Sequence, residues 1–269
     1  MNLDRCQAKT ITDFGNQWKI YRDNEGFFGS LKLFWDMFDP LLKPEDLKGS
    51  HVAEIGSGAG RIVNMLLQAG ASHVIALEPS VEAMEITREN TSEHRDQITY
   101  LQVSGEQLPA SRDLDYVFSV GVIHHIPDPA PVMKAAYDAL RPGGKVALWL
   151  YGREGNGLYL AVIKPLRIIA KRLPHSLLAV LSWCLYWPLL FYIGLCRMIP
   201  LPLQKYMTEV IGPMSPQKRR LVIYDQLNPA YAKYYKKSEA YDLVANAGFE
   251  NIKIYHRHGY SWTVVGTKP

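Results

Sequence analysis

The chain has 269 residues, of which 48% are apolar and 21% charged, with a net charge of +4. It is long enough to bury a full core, and its composition excludes a disordered chain. The charge surplus is too mild to imply nucleic acid, and none is expected as a partner. Cys6, Cys184 and Cys196 lie far apart without metal-ligand spacing, so no metal is expected. The first ten residues are polar and no signal peptide is read there. A cytoplasmic chain without disulfides is the expectation.

Residues 1–50 carry Phe14, Trp18 and Tyr21 at helical spacing, then Leu31, Phe34, Trp35 and Phe38 before Asp39-Pro40. They predict a helical cap. Its aromatics either stand beside a ligand site, with Trp18 and Tyr21 lining it, or simply cover a sheet edge.

Residues 52–55 read as a buried strand. Gly56, Gly58 and Gly60 follow at alternate positions, and Ile62, Val63, Leu66 and Leu67 then recur at helical spacing. This is a strand, a tight glycine turn and a helix N-terminus with unpaired N–H groups. A dinucleotide loop spaces its glycines G-x-G-x-x-G. Here the third comes one residue early. Glu54, two residues before the first glycine, would repel a pyrophosphate but suits an ammonium.

A second strand over residues 74–77 ends at Glu78-Pro79, where an acid of a parallel α/β fold can meet ribose hydroxyls. Its alternative role is to cap the next helix. A third strand over residues 98–103 leads into Ser104-Gly105-Glu106. A fourth over residues 114–120 runs into Gly121-Val122-Ile123-His124-His125-Ile126-Pro127-Asp128-Pro129. Asp128 and Pro129 can open a helix. Leu140-Arg141-Pro142-Gly143-Gly144 stops it before a fifth strand over residues 145–151. Near the end, a helix from Ser238 to Gly248 precedes a hairpin turned at Gly259.

The pattern Glu54-x-Gly56-x-Gly58-x-Gly60 resembles motif I of class I S-adenosylmethionine (SAM) methyltransferases. The acid at Glu78, the loop at Gly105-Glu106, the His-x-Pro-Asp-Pro element and the LRPGG stretch resemble the same family, in the same order. The closest general likeness is to bacterial methyltransferases of the quinone-biosynthesis type. The resemblance covers residues 50–151 and 237–269. It implies an α/β, Rossmann-like seven-stranded sheet, mostly parallel with an antiparallel last strand. It implies SAM as cofactor, held by Glu54, Gly56, Gly58, Gly60, Glu78, Pro79, Gly105, Glu106, Val120 and Gly121. His125, beyond the fourth strand, is the candidate base, the alternative being a loop histidine that bonds backbone. Ser119-Val120-Gly121-Val122 replaces the Asn/Asp-Pro-Pro-aromatic motif of the family's nucleobase amine methyltransferases, which points to an oxygen or carbon acceptor. Two other classes stay open: an aminopropyltransferase of the same fold, which usually carries more acids after the fourth strand, and a non-catalytic SAM-binding protein.

Four regions follow: a cap (1–50), a SAM-binding core (51–151), a helical insert (152–236) and a closing helix with hairpin (237–269). The insert has no acid between Glu154 and Glu209, and residues 176–196 carry no charge. It is long enough to span a bilayer, but the strands after it must rejoin the sheet. Pro188 favours a kink or a break there. A helix pair in the membrane interface, flanked by Lys and Arg, is the expected arrangement, on the inner face of the membrane. A lid over a soluble acceptor or a homodimer contact is the alternative. The polar–aromatic segment 224–231 with Tyr234 and Tyr235, and the cluster of His256, Arg257, His258 and Tyr260 by the final hairpin, are candidates to line the acceptor site, with Tyr231, His256 and His258 foremost.

Overall fold

The computed structural model describes residues 3–170 and 172–269. Lys171, one of the basic residues of the insert, lies outside them. Strands β1 (His51–Ile55), β2 (His73–Leu77), β3 (Ile98–Leu101), β4 (Leu114–Val120) and β5 (Leu140–Tyr151) pair in parallel. β7 (Ser261–Thr267) runs antiparallel between β5 and β6 (Glu250–Arg257), completing the order β3-β2-β1-β4-β5-β7-β6. The order reverses between β1 and β4. At such a switch point the loops leaving the carboxyl ends of neighbouring strands diverge and open a crevice.

The core follows the period-two alternation of the strands. Val52, Tyr116 and Phe118 face one layer, with Ile62, Leu66 and Phe34. Ala53, Ile55 and Val117 face the other, with Val132, Ala136 and Val244. The helices are α1 (Leu3–Ile20), α2 (Leu31–Phe38), α3 (Arg61–Gln68), α4 (Val81–Asn90) and α5 (Ala130–Ala139). After β5 come α6 (Gly157–Ala170), α7 (His175–Met198), α8 (Pro216–Leu227) and α9 (Lys237–Ala245). Ser30, Ser80 and Ser215 cap α2, α4 and α8 by accepting from the N–H groups of Leu33, Ala83 and Lys218.

Some boundaries differ from the expectation. β5 starts at Leu140 rather than at residue 145. The chain beyond β7 extends the pairing: the Gly143 N–H donates to Lys268 O, and the Lys268 N–H to Gly144 O. The third strand stops at Leu101 rather than at residue 103.

Among the described residues the insert is three helices and a π-helical turn, Tyr206–Ile211. α7 runs through Pro188 for 24 residues without a break. A proline inside a helix costs about 3 kcal/mol. Here the turns on either side bury Leu178, Tyr186, Ile193 and Cys196 and pack on α8, which offsets that cost. Buried charges staple the cap to the rest. Arg257 of the hairpin pairs with Asp36 of α2, and Lys218 of α8 lies 2.9 Å from the Asp23 carboxylate.

Candidate active site

One cavity of about 770 Å³ opens at the switch point and runs under the insert. At one end the glycine loop holds positive φ at Gly56, Gly58 and Gly60. A Cβ on Gly56 would sit 2.4 Å from Val122 Cγ2, and one on Gly58 would sit 3.0 Å from the Trp18 indole. Only glycine lets β1 turn this tightly beneath the β4 loop. Gly60 differs from its expected role. It does not line the cavity but opens α3 and packs on α4, where a Cβ would lie 2.9 Å from Thr91 Cγ2.

Glu54 is buried, and its Oε2 has no hydrogen-bond partner among the described residues. Burial pushes its carboxyl well above the usual carboxylate range, opposed by the Arg61 guanidinium. Arg61, the first residue of α3, lines the cavity and lies over the Phe28 ring at 4.3 Å. Burial brings it down to about 10, with Glu54 opposing, so it stays charged at neutral pH. An unpartnered buried carboxylate oxygen beside a guanidinium matches the ammonium and carboxylate of an amino acid.

Glu78, at the end of β2, ties the loop together. Its Oε2 accepts from the Gly58 N–H at 2.9 Å and its Oε1 from the Ser80 N–H at 3.0 Å. Burial raises it to about 6, against those two bonds. Each oxygen keeps a second lone pair for a ligand hydroxyl. Pro79, Gly105, Glu106, Val120 and Gly121 line the same end. Glu106 is exposed at its rim and accepts from Ser104 Oγ at 2.7 Å.

His125 lies in the middle of the cavity wall, on the turn after β4. Its Nδ1 donates to Tyr231 O at 2.8 Å, which leaves Nε2 as the lone-pair nitrogen. Burial lowers it to about 4, with Asp225 opposing, so the ring is neutral at physiological pH. The adjacent His124 stacks on Tyr151 at 3.7 Å, wholly buried. Beyond His125 a polar group crosses the cavity. The Tyr151 hydroxyl donates to Asp225 Oδ2 at 2.9 Å, Gln17 Nε2 donates to Oδ1 at 2.9 Å, and Gln226 Nε2 reaches the Tyr151 hydroxyl at 2.7 Å.

Of the residues expected to line an acceptor site, Trp18 lines the cavity, but at its glycine-loop end against Gly58. Tyr21 is core, edge-on to Tyr224 at 5.6 Å. Tyr231 contributes its carbonyl to His125 and stands outside the lining. His256 stacks on Trp262 at 4.1 Å on the hairpin, away from the cavity. His258 Nε2 is tied to Asp36 at 2.7 Å and is likewise outside. Sequence reasoning assigned no role to Arg61 or Tyr151, whereas Asp225, Arg257 and Tyr260 fell in the segments it offered for the acceptor site, and all three line the cavity. Asp225 also carried a signal, as the only acid between Glu209 and Glu239.

Residues 53–148 match the family described as a methyltransferase domain. This part of the chain is a class I SAM-dependent methyltransferase domain. The chain is 27% identical over 184 residues to a ubiquinone biosynthesis O-methyltransferase of Aromatoleum aromaticum, covering 65% of this chain and 74% of that one. To the enzyme of the same name from Xanthomonas oryzae it is 31% identical over 133 residues, or 49% of this chain and 55% of that one. The chain therefore spans only about half the length of some of the curated relatives it matches. Its fold is shared by a SAM-dependent methyltransferase of Mesorhizobium loti, with a TM-score of 0.54 at 17% identity, covering 89% of this chain and 98% of that one. It is shared also by a Haloferax volcanii methyltransferase solved with its Trm112 activator, with a TM-score of 0.54 at 15% identity, covering 95% and 97%.

Proposed function

We propose that this methyltransferase places the methyl group of SAM on an oxygen of a small, largely apolar acceptor held beneath α6 and α7. The observation that carries the reading is the continuity of the cavity. It runs from the charged, glycine-lined end at Glu54 and Glu78, past His125 and Asp225, to an apolar end formed by Ile163, Leu185, Leu189 and Met207. The printed names of the relatives, ubiquinone biosynthesis O-methyltransferases, favour an oxygen acceptor.

Bound SAM supplies a methyl group already activated on a sulfonium. Glu54 and Arg61 would hold the ammonium and carboxylate of its amino-acid end. Glu78 would accept from the ribose hydroxyls, and Glu106 from the adenine amine. Tyr151, Asp225 and Gln226 orient the acceptor hydroxyl, and the apolar wall excludes water. Alignment of this kind can account for about 7–11 kcal/mol of a barrier. His125 Nε2 takes the hydroxyl proton. A hydroxyl oxygen becomes strongly acidic as it gains a methyl group, so even a base depressed to about 4 suffices.

The test is twofold. Calorimetry should register SAM binding by the purified protein. Incubation with SAM and a series of phenols of increasing alkyl length should give the O-methyl ether by mass spectrometry, with kcat/KM rising along the series. Absence of SAM binding, or methylation at carbon or nitrogen, would overturn the reading.

A further inference from the structure

α7 is long and apolar enough to cross a membrane, yet one of its faces is already used. Leu178, Tyr186, Ile193 and Cys196 are buried against the protein. The opposite face carries Leu177, Val180, Trp183, Trp187, Phe191 and Met198, all exposed, at steps of three, four and seven residues. The Phe191 side chain is 70% exposed and Trp187 56%. An isolated exposed apolar residue is ordinary, but a continuous helical stripe of them marks an interaction surface. α6 adds Leu158, Val162, Ile168 and Ile169, also exposed.

The two helices frame the way into the cavity. Leu158, Val162 and Pro188 line it and also reach the surface, so its mouth lies between α6 and α7. The rim is basic. Lys164, Arg172, Arg197 and Lys205 are exposed, none pairs with an acid among the described residues, and no acid occurs between Glu154 and Glu209. Arg167 does not contribute, because it turns inward to Gln226 O at 2.8 Å.

We infer that the α6–α7 face seats flat on an anionic bilayer and that an amphiphilic acceptor enters the cavity between these helices directly from the lipid. The acceptor half of this inference rests on the function proposed above. An apolar stripe in the acyl boundary with Lys and Arg toward the head groups is how an interfacial helix binds, and the cytoplasmic leaflet is the anionic one. Exposed indoles suit the same depth. A second copy of the chain fits less well. A symmetric contact through this face would set one basic rim against another. Spanning is excluded by the buried face of α7 and by β6 and β7, which follow the insert and pair in the same sheet as β1.

The test uses the full-length protein with phosphatidylcholine vesicles, with and without phosphatidylglycerol. The protein should float with the anionic vesicles, and brominated lipid should quench its tryptophan emission. Trp183→Asp with Phe191→Asp, neither lining the cavity, should weaken binding by at least about tenfold, as expected for losing two buried aromatic side chains. Lys164→Glu with Arg197→Glu should weaken it by about fivefold or more for each charge changed, and only on anionic vesicles. SAM affinity unchanged by calorimetry would show that both variants are folded. The aspartate pair should also lower kcat/KM by about tenfold for a long-chain phenol in vesicles while leaving a short soluble phenol unaffected. Wild-type protein that floats but methylates no phenol would support docking and defeat only the acceptor reading. Protein that methylates phenols but stays in the soluble fraction with both vesicle types would overturn docking. A lipid-free dimer in which Trp183 is shielded from quenchers would overturn it in favour of a second copy.

Discussion

Glu78→Gln separates the structural load on this residue from its role toward SAM. Burial raises the Glu78 carboxyl from 4.5 to about 6. An acid with a raised folded pKa binds its proton more readily folded than unfolded. Its contribution to stability is therefore fully present below about pH 4.5 and is lost as pH rises through about 6. The shift corresponds to roughly 2 kcal/mol at about 1.4 kcal/mol per pH unit. Glutamine carries no charge at any pH. Between about pH 7.5 and pH 4.5 the wild type should therefore gain about 2 kcal/mol relative to the E78Q variant. The amide also keeps one acceptor oxygen where the carboxylate has two. Either the Gly58 or the Ser80 N–H must then lose its partner, at about 1–3 kcal/mol, which offsets the relief of charge burial at neutral pH. The assays are urea denaturation of both proteins across this pH range and SAM titration by calorimetry. SAM affinity of the wild type should fall below about pH 6 as the carboxylate is lost, and that of E78Q at about pH 7.5 should be weaker by about 1.5–3 kcal/mol. Parallel stability profiles for the two proteins would refute the claim that Glu78 is held charged at a cost in the cofactor-free fold.

Gly56→Ala forces a Cβ to 2.4 Å from Val122 in a left-handed backbone. It should abolish measurable SAM binding, and adding Val122→Ala should recover stability only in part, because about 1–2 kcal/mol of backbone strain remains. His125→Ala should lower kcat by about 10²–10⁴-fold with SAM affinity near wild type. Because His125 is neutral above about pH 4, the wild-type kcat should show no histidine titration between about pH 5 and 8. A rate that falls with an inflection near about 6.5 would place the base elsewhere. Asp36→Ala strands Arg257, which is 1% exposed, without its carboxylate. It should cost about 3 kcal/mol in denaturant titration, at the low end for a broken buried pair because Asp36 itself reaches solvent.

The strands, the glycine loop and Glu78 could be read in the sequence because each rests on local physics. Runs of apolar residues, glycines at alternate positions and an acid at a strand end have few other uses. The positions that line the cofactor end followed from that order, apart from Gly60. Its positive φ serves the start of α3, and only the packing of Thr87 and Thr91 shows that it faces α4 rather than the cavity. The polar group beyond His125 was legible only in part, through the segment that holds Asp225. Gln17, Tyr151 and Asp225 come from three distant segments, and no periodicity connects them until α1, β5 and α8 are packed together. His256 and His258 looked alike as polar residues of one hairpin, but strand pairing turned His256 onto Trp262 and the Asp36 carboxylate captured His258. Composition alone gave the insert its apolar, acid-free character. Which of its residues are spent on the protein and which are left facing outward was decided by tertiary packing, because α7 is apolar on both faces and only the position of α8 tells them apart.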